Sequence, residues 1–296
     1  MILKISHLTR YDYSAPVELN PHALLLKPLQ RSYLDTRGYE LRIAPEPEGL
    51  VERSSIEGNP IFQVWFSGKT EMLEIESSFE VEVRPFNPFS FIIKQSFIDR
   101  IDPAACEFGY SDEAEVLLYP PLQTTDNPAL HEFANKLLAE SPTDPITYLN
   151  ALTASVHSNW EHIVREEDNL WSPEETFSAG KGSCRDLSWM LIHMLRAQGL
   201  AARFVSGYAF NPELDEGNEL HAWVEAYLPG AGWVGIDPSL GLFADQHYIP
   251  LASSSDAQQT LPVHGNYGGD LNADVIAKLT TRVDIKEIGP GDTAGS

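Results

Sequence analysis

One cysteine, one histidine and one aspartate stand in three short segments: Gly182-Ser183-Cys184-Arg185-Asp186, His221-Ala222-Trp223, and Gly232-Trp233-Val234-Gly235-Ile236-Asp237-Pro238. Together such side chains can supply a thiolate nucleophile, a base to activate it and a carboxylate to orient the base. Cys184 opens a predicted amphipathic helix, His221 starts a predicted strand, and Asp237 ends the next one. At a helix start, unpaired backbone N–H groups and the positive end of the dipole favour a thiolate. With an imidazolium nearby, a thiol pKa can fall from about 8.5 to roughly 3.5–7.5. The same N–H groups can bind a developing oxyanion. The glycines of Gly180-Lys181-Gly182-Ser183 would let a substrate carbonyl approach closely.

The case for His221 and Asp237 rests on register. Pro229-Gly230-Ala231 joins their strands as a tight hairpin. A three-residue loop pairs Leu228 with Gly232 and Trp223 with Asp237. His221 is then a diagonal same-face neighbour of Asp237, at about 7–8 Å between backbones. A slip of one residue would separate them. His221, Trp223, Glu225 and Tyr227 share one strand face. Ala222, Val224, Ala226 and Leu228 share the other, which would pack on the core. The other eight histidines lack a comparable context. Asp186, in the first turn of the Cys184 helix, is read first as a carboxylate that complements the helix dipole. Its second reading is a partner for Arg185 or Arg203 that shapes the cleft. Trp160, Trp171, Trp223 and Trp233 cluster around these segments as core or cleft wall. An indole N–H is a ready oxyanion donor, and Trp160 is the candidate.

Zinc on Cys184, His221 and Asp237 is the competing constellation. No Cys-x-x-Cys or His-x-x-x-His spacing supports it, and no phosphate-binding glycine motif is present. Neither a metal nor another cofactor is expected. The second cysteine, Cys106, reads as an inert thiol. Two cysteines cannot build a disulfide scaffold, so two free thiols and a reducing compartment are expected.

The elements that must position these residues follow from periodicity. Leu3–Tyr13, Tyr39–Ile43, Ile61–Ser67 and Met72–Val83 alternate or are rich in β-branched and aromatic residues, with turn signals between. Residues 1–100 thus read as an antiparallel β-sandwich or barrel-like domain. Residues 101–128 form a proline-rich joint. Ala129–Glu140 and Pro145–Trp160 are predicted helices, the second capped at Thr143-Asp144-Pro145. Ser172 with Pro173 and Glu175 marks another helix start. The helix Cys184–Gln198 should close at Gly199 as a C′ glycine. Three strands follow, Ala201–Phe210, Leu220–Leu228 and Gly232–Asp237. Beyond Phe243 the pattern weakens, with a last strand over Asp274–Ile285. The core is expected over 129–285 and a mobile tail over 286–296. The fold class is α+β.

Composition bounds the partners. Forty-three acidic against 20 basic residues give a formal charge of −23, which repels phosphate backbones and excludes nucleic acid as the natural partner. A peptide or protein substrate of basic character is the electrostatic expectation. No apolar run is long enough to span a bilayer, and Met1–His7 lacks the apolar stretch of a secretory signal, so a cytoplasmic location without a membrane partner is expected.

The run Pro173–Asp186 with Gly199–Tyr208, then His221–Gly230 and Gly232–Ser239, resembles the core of bacterial transglutaminase-like proteins of the papain-like cysteine hydrolase superfamily. The resemblance spans about Leu130–Ile249, and the first hundred residues resemble the β domain that often precedes this core. It implies that Cys184 is the nucleophile, His221 the base and acid, and Asp237 the orienting carboxylate. It does not imply calcium. Its members cleave peptides or amides, cross-link glutamine to amines, or have lost activity. The expectation is therefore acyl transfer through a thioester, chiefly amide hydrolysis. Transamidation and a non-catalytic binding module that kept the fold are the alternatives.

Overall fold

The computed structural model describes residues 1–102, 104–105, 107–125, 127–140, 144–165, 169–211, 220–268 and 275–289. Cys106, Thr143, residues 212–219 of the acidic stretch and residues 290–296 of the expected tail lie outside the described residues.

Strict alternation builds the N-terminal sandwich. In the long strand Ile2–Leu19, the odd-numbered Leu3, Ile5, His7 and Thr9 are buried. In its neighbour Lys69–Val83 the buried set is Leu73, Ile75, Ser77, Phe79, Val81 and Val83. One face of this sheet is therefore dry. The sheet runs in the order Tyr267–Gly268, Ile2–Leu19, Lys69–Val83, Leu34–Ala44. The second sheet runs Val263–His264, His22–Leu24, Pro60–Trp65, Gly49–Ser54. The two meet over Val17, Leu24, Phe62, Val64, Leu73 and Ile75.

The last strand departs from the expected division. Ala277–Ile288 pairs antiparallel with the first strand, from Ile2↔Ile288 to Tyr13↔Ala277. It extends the N-terminal sheet rather than the core expected over 129–285, and it takes up residues 286–288 of the expected tail. Alternation marks a strand but carries no label for the edge it joins. The joint is also more ordered than expected, with short helices Asp112–Leu117 and Tyr119–Leu122.

The core is a five-stranded antiparallel sheet in the order Leu242–Phe243, Gly232–Asp237, Leu220–Leu228, Ala202–Ala209, Tyr248–Ser254. The helix Cys184–Ala197 covers one face. Its Leu187, Leu191 and Leu195 join Ala222, Val224, Ala226 and Ile236 in one cluster. The helices Pro128–Glu140 and Pro145–Asn159 pack into the same cluster. Asp144 caps the latter, accepting from the N–H groups of Ile146 and Thr147. Gly199 adopts φ +74°, and a Cβ there would stand 2.3 Å from the Phe108 carbonyl oxygen.

Beyond the helix, the core sheet also packs on the N-terminal sheet. Tyr208, Ile249 and Leu251 pack with Leu3, Ile5, Phe79 and Val81 of the N-terminal sheet. On the face away from the helix Trp223 is buried with Val205, Ala244 and Tyr248, and Glu225 is buried as the partner of both Arg31 and Arg203. The strand Tyr248–Ser254 escaped the sequence reading because Pro250 sits at a register shift and all seven residues are buried, so no alternation exists. Among the described residues no helix is long and apolar enough to cross a membrane.

Candidate active site

Cys184 is half-buried at the first position of its helix. Ser183 caps that helix. Its hydroxyl accepts from the Asp186 N–H at 3.4 Å. Asp186 in return accepts the Ser183 N–H at 2.9 Å and its hydroxyl at 2.7 Å. This is a capping box with aspartate at the third position. Asp186 is fully buried and also accepts from Arg165 Nη1 at 2.9 and 2.8 Å and from the Trp171 N–H at 2.9 Å. Burial pushes its carboxyl upward, but Arg165 and the hydrogen bonds from Ser183 and Trp171 outweigh that and hold it below its ordinary value. The ion partner is thus Arg165, not Arg185 or Arg203. Arg203 is drawn across the sheet to Glu225, its register partner.

The hairpin has the expected register, with Leu228 opposite Gly232 and Val224 opposite Ile236. His221 Nε2 and Asp237 Oδ2 lie 2.7 Å apart. Asp237 is fully buried. Its Oδ2 also accepts the Tyr248 hydroxyl at 2.8 Å. Its Oδ1 accepts the Ser239 N–H at 2.9 Å, the Ser239 hydroxyl at 2.6 Å and the Leu240 N–H at 3.2 Å. Burial raises the carboxyl, but the charge and hydrogen bond of His221, with Ser239 and Tyr248, keep it below the usual carboxylate range. For His221 burial acts downward. Asp237 and then Cys184 overcome it and raise the imidazole well above its ordinary value. For Cys184 burial pushes the thiol up. Hydrogen bonding from His162 and His221, with the charge of His221, pulls it down to about 6. With Nε2 engaged by Asp237, Nδ1 is the nitrogen left for the sulfur. These shifts favour a thiolate beside an imidazolium, with a buried carboxylate behind.

The two tryptophans do not take the places expected of them. Trp160 donates its indole N–H to the Phe177 carbonyl at 3.2 Å and packs edge-on against Phe133. That donor is spent, so Trp160 is not an oxyanion donor. Trp223 is buried, its ring stacked beside His221 at 6.4 Å and edge-on to Tyr248 at 5.2 Å. It is a wall behind the imidazole rather than a cleft surface. The glycines before Cys184 serve backbone geometry and packing. Gly180 ends the helix Pro173–Ala179 at φ +66°, and a Cβ on Gly182 would meet Asp186 at 2.9 Å and Thr176 at 3.1 Å.

Four residues at the site were not singled out from the sequence. Ser239 carried a local signal, because an aspartate commonly binds the backbone two residues on. Tyr248 lies eleven residues from Asp237 on the strand that could not be read. Arg165 and His162 reach the site through tertiary contact. Glu161–His162 pairs in parallel with Lys181–Gly182, placing His162 opposite Gly182. Among the described residues no group of three or more His, Cys, Asp or Glu side chains is arranged to hold a metal ion.

Residues 132–238 match the transglutaminase-like superfamily, and residues 3–82 match the bacterial transglutaminase-like N-terminal region. An uncharacterized protein of Mycobacterium tuberculosis is 26% identical over 277 residues, covering 88% of this chain and 86% of its own. A protein-glutamine gamma-glutamyltransferase of Pseudomonas aeruginosa is 36% identical over 70 residues, 21% of this chain and 10% of that one. The crystal structure of a candidate cysteine protease from Cytophaga hutchinsonii aligns with a TM-score of 0.72 at 19% identity. It covers all of this chain and 92% of that one, so the two share a fold.

Proposed function

Because this chain belongs to the transglutaminase-like superfamily, we propose that it is a cysteine-dependent acyl-transfer enzyme that hydrolyses a peptide or side-chain amide. The observation that carries this is a half-buried thiol at a helix start beside an imidazole bound 2.7 Å from a fully buried carboxylate. In the proposed reaction the Cys184 thiolate attacks the amide carbon, and the N–H groups of the first helical turn face the oxygen that gains charge. His221 gives its proton to the departing amine, leaving a thioester on Cys184. Neutral His221 then takes a proton from water, whose oxygen bonds to the acyl carbon as the carbon–sulfur bond breaks. Asp237 fixes the imidazole tautomer and stabilises its charged form throughout.

Hydrolysis is favoured over transamidation by concentration and protonation. Water is abundant, whereas an amine must lose its proton before it attacks. The acidic surface supports a preference for substrates with Lys or Arg near the scissile bond. This preference weakens as salt screens fields beyond about 8–10 Å. We place the chemistry in the cytoplasm, where a thiolate stays reduced. Iodoacetamide near pH 7, mapped by peptide mass spectrometry, is expected to modify Cys184 before Cys106. A screen of quenched amide substrates with and without a labelled amine then tests the acceptor. Amine incorporation outpacing acid at millimolar amine would replace hydrolysis by transamidation. Equal labelling of both cysteines would remove the nucleophile.

A further inference from the structure

His162 is a second imidazole at the sulfur, and nothing in the reaction just described uses it. Its backbone is locked in place. The N–H of Glu161 donates to the Gly180 carbonyl at 2.9 Å, and that of Ile163 to the Gly182 carbonyl at 2.9 Å. These bonds clamp His162 opposite Gly182, two residues from Cys184, whatever its side chain does. The residue is exposed, whereas the His221 side chain keeps only 14% of its surface. Hydrogen bonding from His162 is the largest influence that draws the thiol down. Among the described residues, the charged groups near the helix start include His221 with Asp237, the Arg165–Asp186 pair, Arg185 next to Cys184, and Glu161 and Lys181 on the two-residue bridge.

One step of the proposed reaction asks two things of His221. When the thioester is hydrolysed, His221 is neutral and is taking a proton from water, with its other nitrogen committed to Asp237. Only after it has taken that proton can it face the departing sulfur as an imidazolium, so a second donor at the sulfur would assist the departure. We propose that His162 is a catalytic residue that donates its N–H to the Cys184 sulfur and stabilises it as a leaving group during thioester hydrolysis. The water oxygen bonds to the acyl carbon, and the water proton passes to His221. The carbon–sulfur bond breaks, and its electron pair stays on sulfur, where the His162 N–H holds it. A thiolate stabilised in this way leaves faster, as a less basic leaving group does. The free enzyme that results already holds the thiolate beside imidazolium for the next cycle.

This rests on Cys184 being the nucleophile, and the test separates the two ideas. The probe is p-nitrophenyl acetate at pH 8.5, with rates compared per ionised thiol as read from an absorbance titration. The initial burst reads acylation and the later linear phase reads thioester hydrolysis. His162→Phe is expected to keep the burst and slow the linear phase about tenfold, the effect of losing one charge-assisted hydrogen bond. His162→Gln, which keeps an N–H donor, is expected to recover part of that loss. Thiolate absorbance near 240 nm, followed against pH, is expected to rise at higher pH in His162→Phe than in the unaltered protein. An unchanged linear phase and an unchanged absorbance midpoint in His162→Phe would overturn the role of His162. Absence of any burst in the unaltered protein would instead overturn the nucleophile, with the absorbance midpoint still reporting on His162.

Discussion

Asp237 accepts hydrogen bonds from His221, Tyr248, the Ser239 N–H and hydroxyl, and the Leu240 N–H. Oδ1 has only donors as neighbours, so in Asp237→Asn the amide oxygen must take that side. The amide nitrogen then faces His221, which has to accept at Nε2 and carry its proton on Nδ1, the side of the sulfur. That is the wrong tautomer for a base. We expect the amide hydrolysis to fall by about 10⁴-fold, as for a wrong tautomer in serine hydrolases, while thermal unfolding shows an intact fold. Near-normal turnover would mean another group orients His221. The thiol makes a second prediction at this scale. Since its pKa lies at about 6, the thiolate is lost only as pH falls through that value. Iodoacetamide alkylation of Cys184 should be nearly flat above pH 7 and drop about tenfold per unit well below 6. His221→Ala should move that limb upward, and a limb near 8.5 in the unaltered protein would contradict the ion pair.

The helix that presents Cys184 is held at both ends by contacts that are partly local. At its start Asp186 binds Ser183, Trp171 and Arg165, and Arg165 also lies over the Trp171 ring at 4.2 Å. Asp186→Ala removes the buried carboxylate from a guanidinium with 6% side-chain exposure, which keeps its bonds to Asn169 but loses its ion partner in the helix. Breaking a buried pair in this way is expected to destabilise by about 3–5 kcal/mol. It should also slow Cys184 alkylation, because the turn that positions the sulfur loosens. Urea denaturation followed by circular dichroism measures the first, and a loss under 1 kcal/mol would show that the pair contributes little. At the other end Gly199 is required twice, by its left-handed φ and by the Phe108 carbonyl. The first of these was readable from sequence and the second was not.

At the scale of the whole molecule, the N-terminal and core sheets share one apolar cluster. Leu3, Ile5, Phe79, Val283 and Ile285 come from the first and Tyr208, Ile249 and Leu251 from the second. Glu225 of the core ties to Arg31 of the N-terminal region as well. A change in one sheet should therefore be felt in the other. Ile285→Ala, on the last strand, removes buried methylenes at an expected loss of about 2–5 kcal/mol. Five of the six tryptophans lie beyond residue 159 and only Trp65 lies in the sandwich, so indole fluorescence reports mainly on the core. The urea midpoint by fluorescence should fall together with that by circular dichroism. A fluorescence midpoint that stays put would show two independently folding units.

The sequence alone determined what is short in range. It fixed the helix starts at Ser172 and Asp144, the C′ glycine at Gly199, and the hairpin register that sets His221 beside Asp237. Such features depend on periodicity, capping and turn length within about a dozen residues, and these survive without knowledge of the fold. The tertiary structure alone decided the rest. It returned residues 277–288 to the first strand, buried Trp223 and Glu225 on the face away from the Cys184 helix, and spent the Trp160 indole on Phe177. It also brought Tyr248, Arg165 and His162 to the site. Sheet edges and buried polar groups take whatever partner the packing supplies, and distant partners leave no spacing along the chain from which to read them.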